Sequence, residues 1–414
     1  MRRMFMIGVA AAALMASGPA SADTVTNWWE IANRYYLDGQ SAPGPRSPDA
    51  QRASSRVALA MFEAVNAIDR RYQSYLDFPA ADPSASQDAA VATAAFKVLI
   101  QHYPAHKTTL EESYAMVMAA IPETAVKAAG AQVGDAAAGA AISAGGIDPA
   151  ILQPPYRPRA AAGEWIGAAL PSIEPYWLAF RPWAASAGAI QIPAPPPLGS
   201  ERYARDYEEV RRLGSRNSRE RTPEQTLIAR YRQGYDLSPM VRYIADRPGR
   251  RQVDNARLLA LYQMAFDDAV QAMAVAKIRY DYWRPITAIR NGDRDGNDAT
   301  QHDPEWVPLL GTPNFQEYPC GHCAVAAAQA EVLKLAGRLP AGTPVRVAAG
   351  GNPNMVVQTV ESWDELVRQV SDSRMLGGVH YRFSNEAGEE IGRQAAQIAV
   401  EKLLRPLPKA NHRR

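Results

Sequence analysis

Apolar residues recur at helical spacing through most of this 414-residue chain, and alanine fills many of the small positions. In the segment 52–68, Val57, Leu59, Ala60, Met61, Ala64, Val65 and Ile68 recur at helical spacing, with Ser47 read as the N-cap and Pro48 as the first helical position. Comparable segments run through 85–103, 107–120 and 123–143, and the last is so rich in alanine that close helix packing is its natural use. Helical patterns resume at 200–214, 222–234, 252–277, 322–337, 361–374 and 384–404. Short Val/Ile alternations are too few to make a sheet. The expected fold is all-α: one large helical-bundle domain with a Pro/Trp-rich irregular loop between two helical halves.

That loop is 147–199, with ten prolines from Pro154 to Pro197 interleaved with Trp165, Trp177 and Trp183. Large aromatics are foreign to disordered linkers, so an ordered covering loop is expected between an N-terminal half (23–146) and a C-terminal half (200–407). Residues 1–22 read as an export signal: Arg2-Arg3, an apolar run from Met4 to Met15, then Ala20-Ser21-Ala22 before Asp23. A periplasmic or secreted protein is therefore expected. Lys and Arg number 45 against 43 Asp and Glu, and two of the arginines lie at positions 2 and 3, so the remainder is nearly neutral. Such a balance gives no reason to expect a nucleic-acid partner.

Three separated segments supply the chemistry. Lys277 and Arg284 are two helical turns apart, which places them on one face of a helix that Pro285 should end. Pro319-Cys320-Gly321-His322 directly precedes a strong helix former, so its amides lie at a helix N-terminus, where free N–H groups and the positive dipole end favour an anion. Arg374 and His380 flank Gly377-Gly378, which can turn the chain so that both side chains face one point. Three cations, two of the six histidines and a glycine turn are the materials for gripping a tetrahedral oxyanion.

In this order and spacing, KxxxxxxRP, P[S/C]GH and SRxxxxxH resemble the signature of the type 2 phosphatidic-acid phosphatase and vanadium-dependent haloperoxidase superfamily. The one departure is Cys320, where the family usually has serine. The bacterial haloperoxidase-type branch is further resembled at Ala60 to Asp69, Pro195 to Pro197, Ser200, Tyr203, Asp206, Arg221-Thr222, Gln225, Trp283 to Arg290, Asp303 to Trp306, Thr312 to Phe315 and Glu317-Tyr318. Phe315 resembles a position that is aromatic in chloride-oxidising relatives. The resemblance implies a site of Lys277, Arg284, Cys320, Gly321, His322, Arg374 and His380. In a haloperoxidase, His380 would be the ligand to vanadium in bound vanadate, the cations would neutralise its oxygens, Lys277 would polarise peroxide, and hydrogen peroxide and halide would be the substrates. In an exported phosphatase, His380 would be the nucleophile toward a phosphate ester and His322 the acid, with acidic to neutral optima and no cofactor. A non-catalytic oxyanion-binding protein is a third reading.

Cys320 and Cys323 are the only cysteines and lie close enough to pair. Their CxxC spacing also matches disulfide oxidoreductases, but a proline-broken loop before them and helix after them are the wrong context. As a free thiol, Cys320 would be a weaker donor than serine, open to oxidation beside peroxide, and able to switch the site off when oxidised. Among nearby acids, Glu317, Asp303 and Glu305 are candidates to orient site residues, with the last two read as exposed loop acids. Asp281 and Asp372 are expected to pair with Arg284 or Arg374.

Overall fold

The computed structural model describes residues 23–41, 52–146, 159–167, 178, 180–185, 188–349 and 357–408, so the segment 1–22 read as an export signal, Ser47, Pro48 and Trp177 lie outside the described residues. Thirteen α-helices occur among them. The N-terminal ones are α1 (Thr24–Ser41), α2 (Ala53–Ile68), α3 (Gln87–His102), α4 (Lys107–Ala119) and α5 (Ala125–Ser143). The others are α6 (Glu201–Leu213), α7 (Pro223–Tyr231), α8 (Ser238–Ala245), α9 (Gln252–Tyr280), α10 (Pro285–Arg290), α11 (Gly321–Ala336), α12 (Trp363–Leu376) and α13 (Arg382–Lys402). The all-α reading holds, and several starts have the caps that polar residues make. Ser86, Ser200 and Ser362 each accept a backbone N–H of the first turn, and Thr222 with Gln225 forms a capping box.

One expectation fails. Three short antiparallel strands, β1 (Tyr235–Asp236), β2 (Val345–Ala349) and β3 (Val357–Val360), pair in the order β1-β2-β3, with Tyr235 opposite Ala349 and Val345 opposite Val360. Their partners lie far apart in sequence, so local alternation gave no sign of the pairing.

The long helix α9 organises the rest. Val253, Leu258, Leu259, Leu261 and Met264 enter one core with Trp28, Phe62 and Leu99 from the N-terminal half and Val332 and Val370 from the C-terminal half. Asp267 and Asp268, buried on α9, hold the Pro/Trp-rich segment: Trp183 donates its indole N–H to Asp267 at 2.8 Å, and the amides of Trp183, Ala184 and Ala185 donate to Asp268. Asp267 also pairs with buried Arg52 at 3.2 Å, whose guanidinium lies over the Trp183 ring. A buried carboxylate is tolerated only with such partners.

Helices α11 and α13 approach so closely that a Cβ on Gly392 would meet the Ala324 carbonyl at 2.1 Å, and one on Gly388 the Cys320 carbonyl at 2.3 Å. Only glycine permits that distance. Gly388→Ala is therefore expected to destabilise by about 1–3 kcal/mol in denaturant unfolding, whereas Gly139→Ala, on exposed α5 surface with nothing nearby, should be neutral or stabilising.

Candidate active site

The first motif is divided between two elements. Lys277 lies on α9, but the helix ends at Tyr280 because Asp281 adopts a left-handed backbone (φ 43°) and Tyr282-Trp283 run extended against residues 163–165. Arg284 is the N-cap residue of α10, so the two cations do not share a helix face. They converge nonetheless, both packed on the Phe315 ring, at 5.1 Å for Lys277 Nζ and 4.8 Å for Arg284 Cζ.

Lys277 is buried and donates to the backbone carbonyls of Gln316 (2.8 Å), Glu317 (2.9 Å) and Pro319 (2.6 Å). Three acceptors need three N–H groups, so the amine is an ammonium, although burial and Arg284 push its pKa well below the ordinary lysine value. It pins the loop that leads into the second motif. Its charge acts on the site, while its donors hold the backbone.

Cys320 is the N-cap of α11, and its sulfur accepts the Cys323 amide at 3.2 Å. Cys320 and Cys323 form a disulfide. No thiol is therefore present to donate to an anion or to be oxidised. The Gly321 and His322 amides lie in the first helical turn, where no intrahelical acceptor exists. His322 is hydrogen-bonded to the Gln233 backbone, and Arg374, burial, Arg284 and Lys277 push its pKa well below 6.5.

In the third motif, Gly378 (φ 76°) turns the chain after α12, and the Val379 and His380 amides bond back to the Arg374 carbonyl at 3.1 and 3.3 Å. His380 is thereby set among the cations. Its Nδ1 lies 2.7 Å from Glu317 Oε1 and its Nε2 lies 3.0 Å from Arg284 Nη1. A guanidinium can only donate, so Nε2 must be the acceptor and Nδ1 must carry the proton. The ring is thus neutral with its Nε2 lone pair directed at the cations, consistent with a pKa pushed well below 6.5 by burial, Arg284, Lys277 and Arg374. Glu317, wholly buried and also accepting the Tyr381 amide at 3.1 Å, is raised by burial to about 7 against the pull of Arg284 and Lys277.

Arg284 uses Nε on the Phe315 carbonyl and Nη1 on the Val379 carbonyl, both at 2.9 Å, but its buried Nη2 has no hydrogen-bond partner. The buried Nε of Arg374 likewise has none. Burial lowers these guanidinium groups to about 9 and about 10, so both stay charged at pH 7. Two orphaned cationic donors and an unprotonated imidazole nitrogen in one buried cluster are groups whose hydrogen-bonding capacity an oxyanion would satisfy.

Asp281 and Asp372 do not serve the site. Asp281 pairs with Arg159 at 2.7 Å, and Asp372 with Arg368 and Arg382. Asp303 and Glu305 sit toward solvent, leaving Glu317 as the acid that orients a site residue. The Gln233 contact to His322 carries no sequence signal, because it uses backbone.

Residues 257–408 match the family model of the VCPO second helical-bundle domain. A bacterial vanadium-dependent iodoperoxidase structure superposes with a TM-score of 0.75 at 21% identity, covering 94% of this chain and 98% of that one. The chain has the vanadium-haloperoxidase fold. Bacterial vanadium-dependent chloroperoxidase structures share this haloperoxidase fold at 17% identity. The apo form has a TM-score of 0.66, covering 89% of this chain and 97% of that one; the holo form has 0.65, covering 92% and 94%. Among curated proteins no sequence matches this chain. The resemblance read from the three motifs to the haloperoxidase branch is borne out. No described helix is long and apolar enough to cross a membrane.

Because the cations hold His322 neutral, an anion that offsets their charge raises its pKa and binds together with a proton. The bound state then holds more protons, so affinity should rise as pH falls. Sulfate, whose charge is fixed between pH 5.5 and 7.5, is the suitable probe: its dissociation constant at this site should fall as pH falls in the wild type, and His322→Gln should reduce the dependence to the part that Glu317, titrating near 7, contributes.

Proposed function

We propose that this protein is a vanadium-dependent haloperoxidase, oxidising halide with hydrogen peroxide. The observation that carries this reading is the pair of orphaned guanidinium donors, Arg284 Nη2 and Arg374 Nε, buried in the same cluster as the unprotonated Nε2 of His380. This donor set suits vanadate: a neutral imidazole nitrogen as the metal ligand, and fixed cations for the oxygens. Lys277 contributes charge from beneath the loop, and the first-turn amides of Gly321 and His322 add donors.

Vanadate bound here supplies the electrophilic centre that activates peroxide toward halide. His380 would hold the group through Nε2, and the Arg284 Nη1 donor that now bonds Nε2 would then be available to the anion. Glu317 holds Nδ1–H, so the ring presents its lone pair without rotating, and its carboxylate raises the basicity of the ligand nitrogen. His322, half-buried, would take up a proton when the anion binds and could hold it for donation to an oxygen of the reacting group. The disulfide leaves no reactive thiol beside an oxidising site.

The test is peroxide-dependent bromination of a phenolic dye with and without orthovanadate, run beside hydrolysis of p-nitrophenyl phosphate. Vanadate-dependent bromination that disappears in His380→Ala is the expected result. Ester hydrolysis inhibited by vanadate, with no halide oxidation, would make the same residues a phosphohistidine phosphatase; binding without any turnover would make the protein an oxyanion binder. Glu317→Gln should lower turnover by roughly a hundredfold while leaving the unfolding midpoint within a few degrees, since an amide permits the wrong imidazole tautomer.

A further inference from the structure

Toward the opposite end of α9, about 30 Å from Lys277 at 1.5 Å rise per residue, lies a second concentration of positive charge. Arg247, Arg250, Arg257 and Arg338 line a surface cavity of about 390 Å³ with Tyr72 and Asp254. Asp254 is the one carboxylate in that lining, and it already accepts the Tyr72 hydroxyl at 2.5 Å. With a net charge of only +2 for the whole chain, four arginines in one cavity do not follow from composition.

Their bonds to the protein orient them without neutralising them. Arg247 donates to the carbonyls of Arg338, at 2.8 Å, and Gly337; Arg250 Nε donates to the Asn255 side-chain oxygen at 2.6 Å; Arg257 Nε donates to the Leu404 carbonyl at 2.7 Å. None of the four is in an ion pair among the described residues. Arg257 decides the matter: it is 9% exposed, its guanidinium lies over the Tyr72 ring at 5.0 Å, and only its Nε has a hydrogen-bond acceptor among the described residues. Burial chiefly lowers Arg250 and Arg257, with Arg338 acting on both and Arg247 on Arg250, against the opposing pull of Tyr72 and Asp254; an anion would relieve that burial cost and repulsion.

We propose that this cavity is a second anion site, separate from the one at His380, that takes a compact oxyanion group of the phosphate or sulfate type. The guanidinium forks match the edges of such a group, and the cavity is wide enough for it to be carried on a small molecule.

The experiment is calorimetric titration of the full chain at low salt with inorganic sulfate. Wild type should show two classes of binding. The double variant Arg250→Gln/Arg338→Gln should weaken one class by at least roughly tenfold and leave the other, while Arg374→Gln should do the reverse. Arg338 is exposed and Arg250 half-buried, so folding should survive, and unchanged thermal unfolding checks it. Methylphosphonate, with one oxygen replaced by carbon, distinguishes the sources: binding equal to sulfate assigns a group carried on an organic molecule, and exclusion assigns the free ion. A single class of sites that the double variant leaves intact, or titrations that superpose for wild type and the double variant, would overturn the proposal.

Discussion

Three cations buried in one helical core repel each other, and the site exists because the backbone absorbs most of that cost. Lys277 is surrounded by three carbonyls, and Arg284 by two. Each carbonyl belongs to a segment that carries another part of the site: the 315–319 loop leads into Cys320-Gly321-His322, and Val379 precedes His380. The charges thus fix the loops, and the loops fix the charges. Among the described residues a single buried carboxylate, Glu317, faces them, so positive charge is in excess there.

The excess has a direction. Arg284 can only donate, which forces the His380 proton onto Nδ1 and toward Glu317. The imidazole is therefore prepared as a ligand or nucleophile through Nε2 before any anion arrives. The same field keeps His322 neutral in the absence of an anion. Its protonation is tied to the anion whose chemistry it serves. Cys320 contributes as the helix cap and disulfide partner that positions the first turn, rather than as a thiol.

Much of this was legible in the sequence, because helical periodicity and the three motifs are local signals. The helices from α2 to α7 and α9, α11, α12 and α13 lie within a few residues of the periodic segments. Helix α1 was missed although Val25, Trp28, Trp29 and Ala32 have helical spacing and are buried. The end of α9 was misplaced because Pro285 is a visible stop, whereas Asp281 turns the chain earlier through pairing with residues distant in sequence. The sheet escaped for a related reason, and the partners of Asp281 and Asp372 are tertiary choices that spacing cannot encode. Glu317 stood out as an acid beside the second motif, but its bond to His380 depends on the α12–α13 turn.

The central claim is that His380 is held as the Nδ1–H tautomer, with Nε2 unprotonated and accepting from Arg284 until an oxyanion takes its place. Nitrogen-15 NMR of histidine-labelled protein tests it directly. A protonated Nδ1 and an unprotonated Nε2, with the Nε2 resonance shifting on addition of orthovanadate, is the predicted result. A proton on Nε2, or an Nε2 resonance indifferent to orthovanadate, would contradict it.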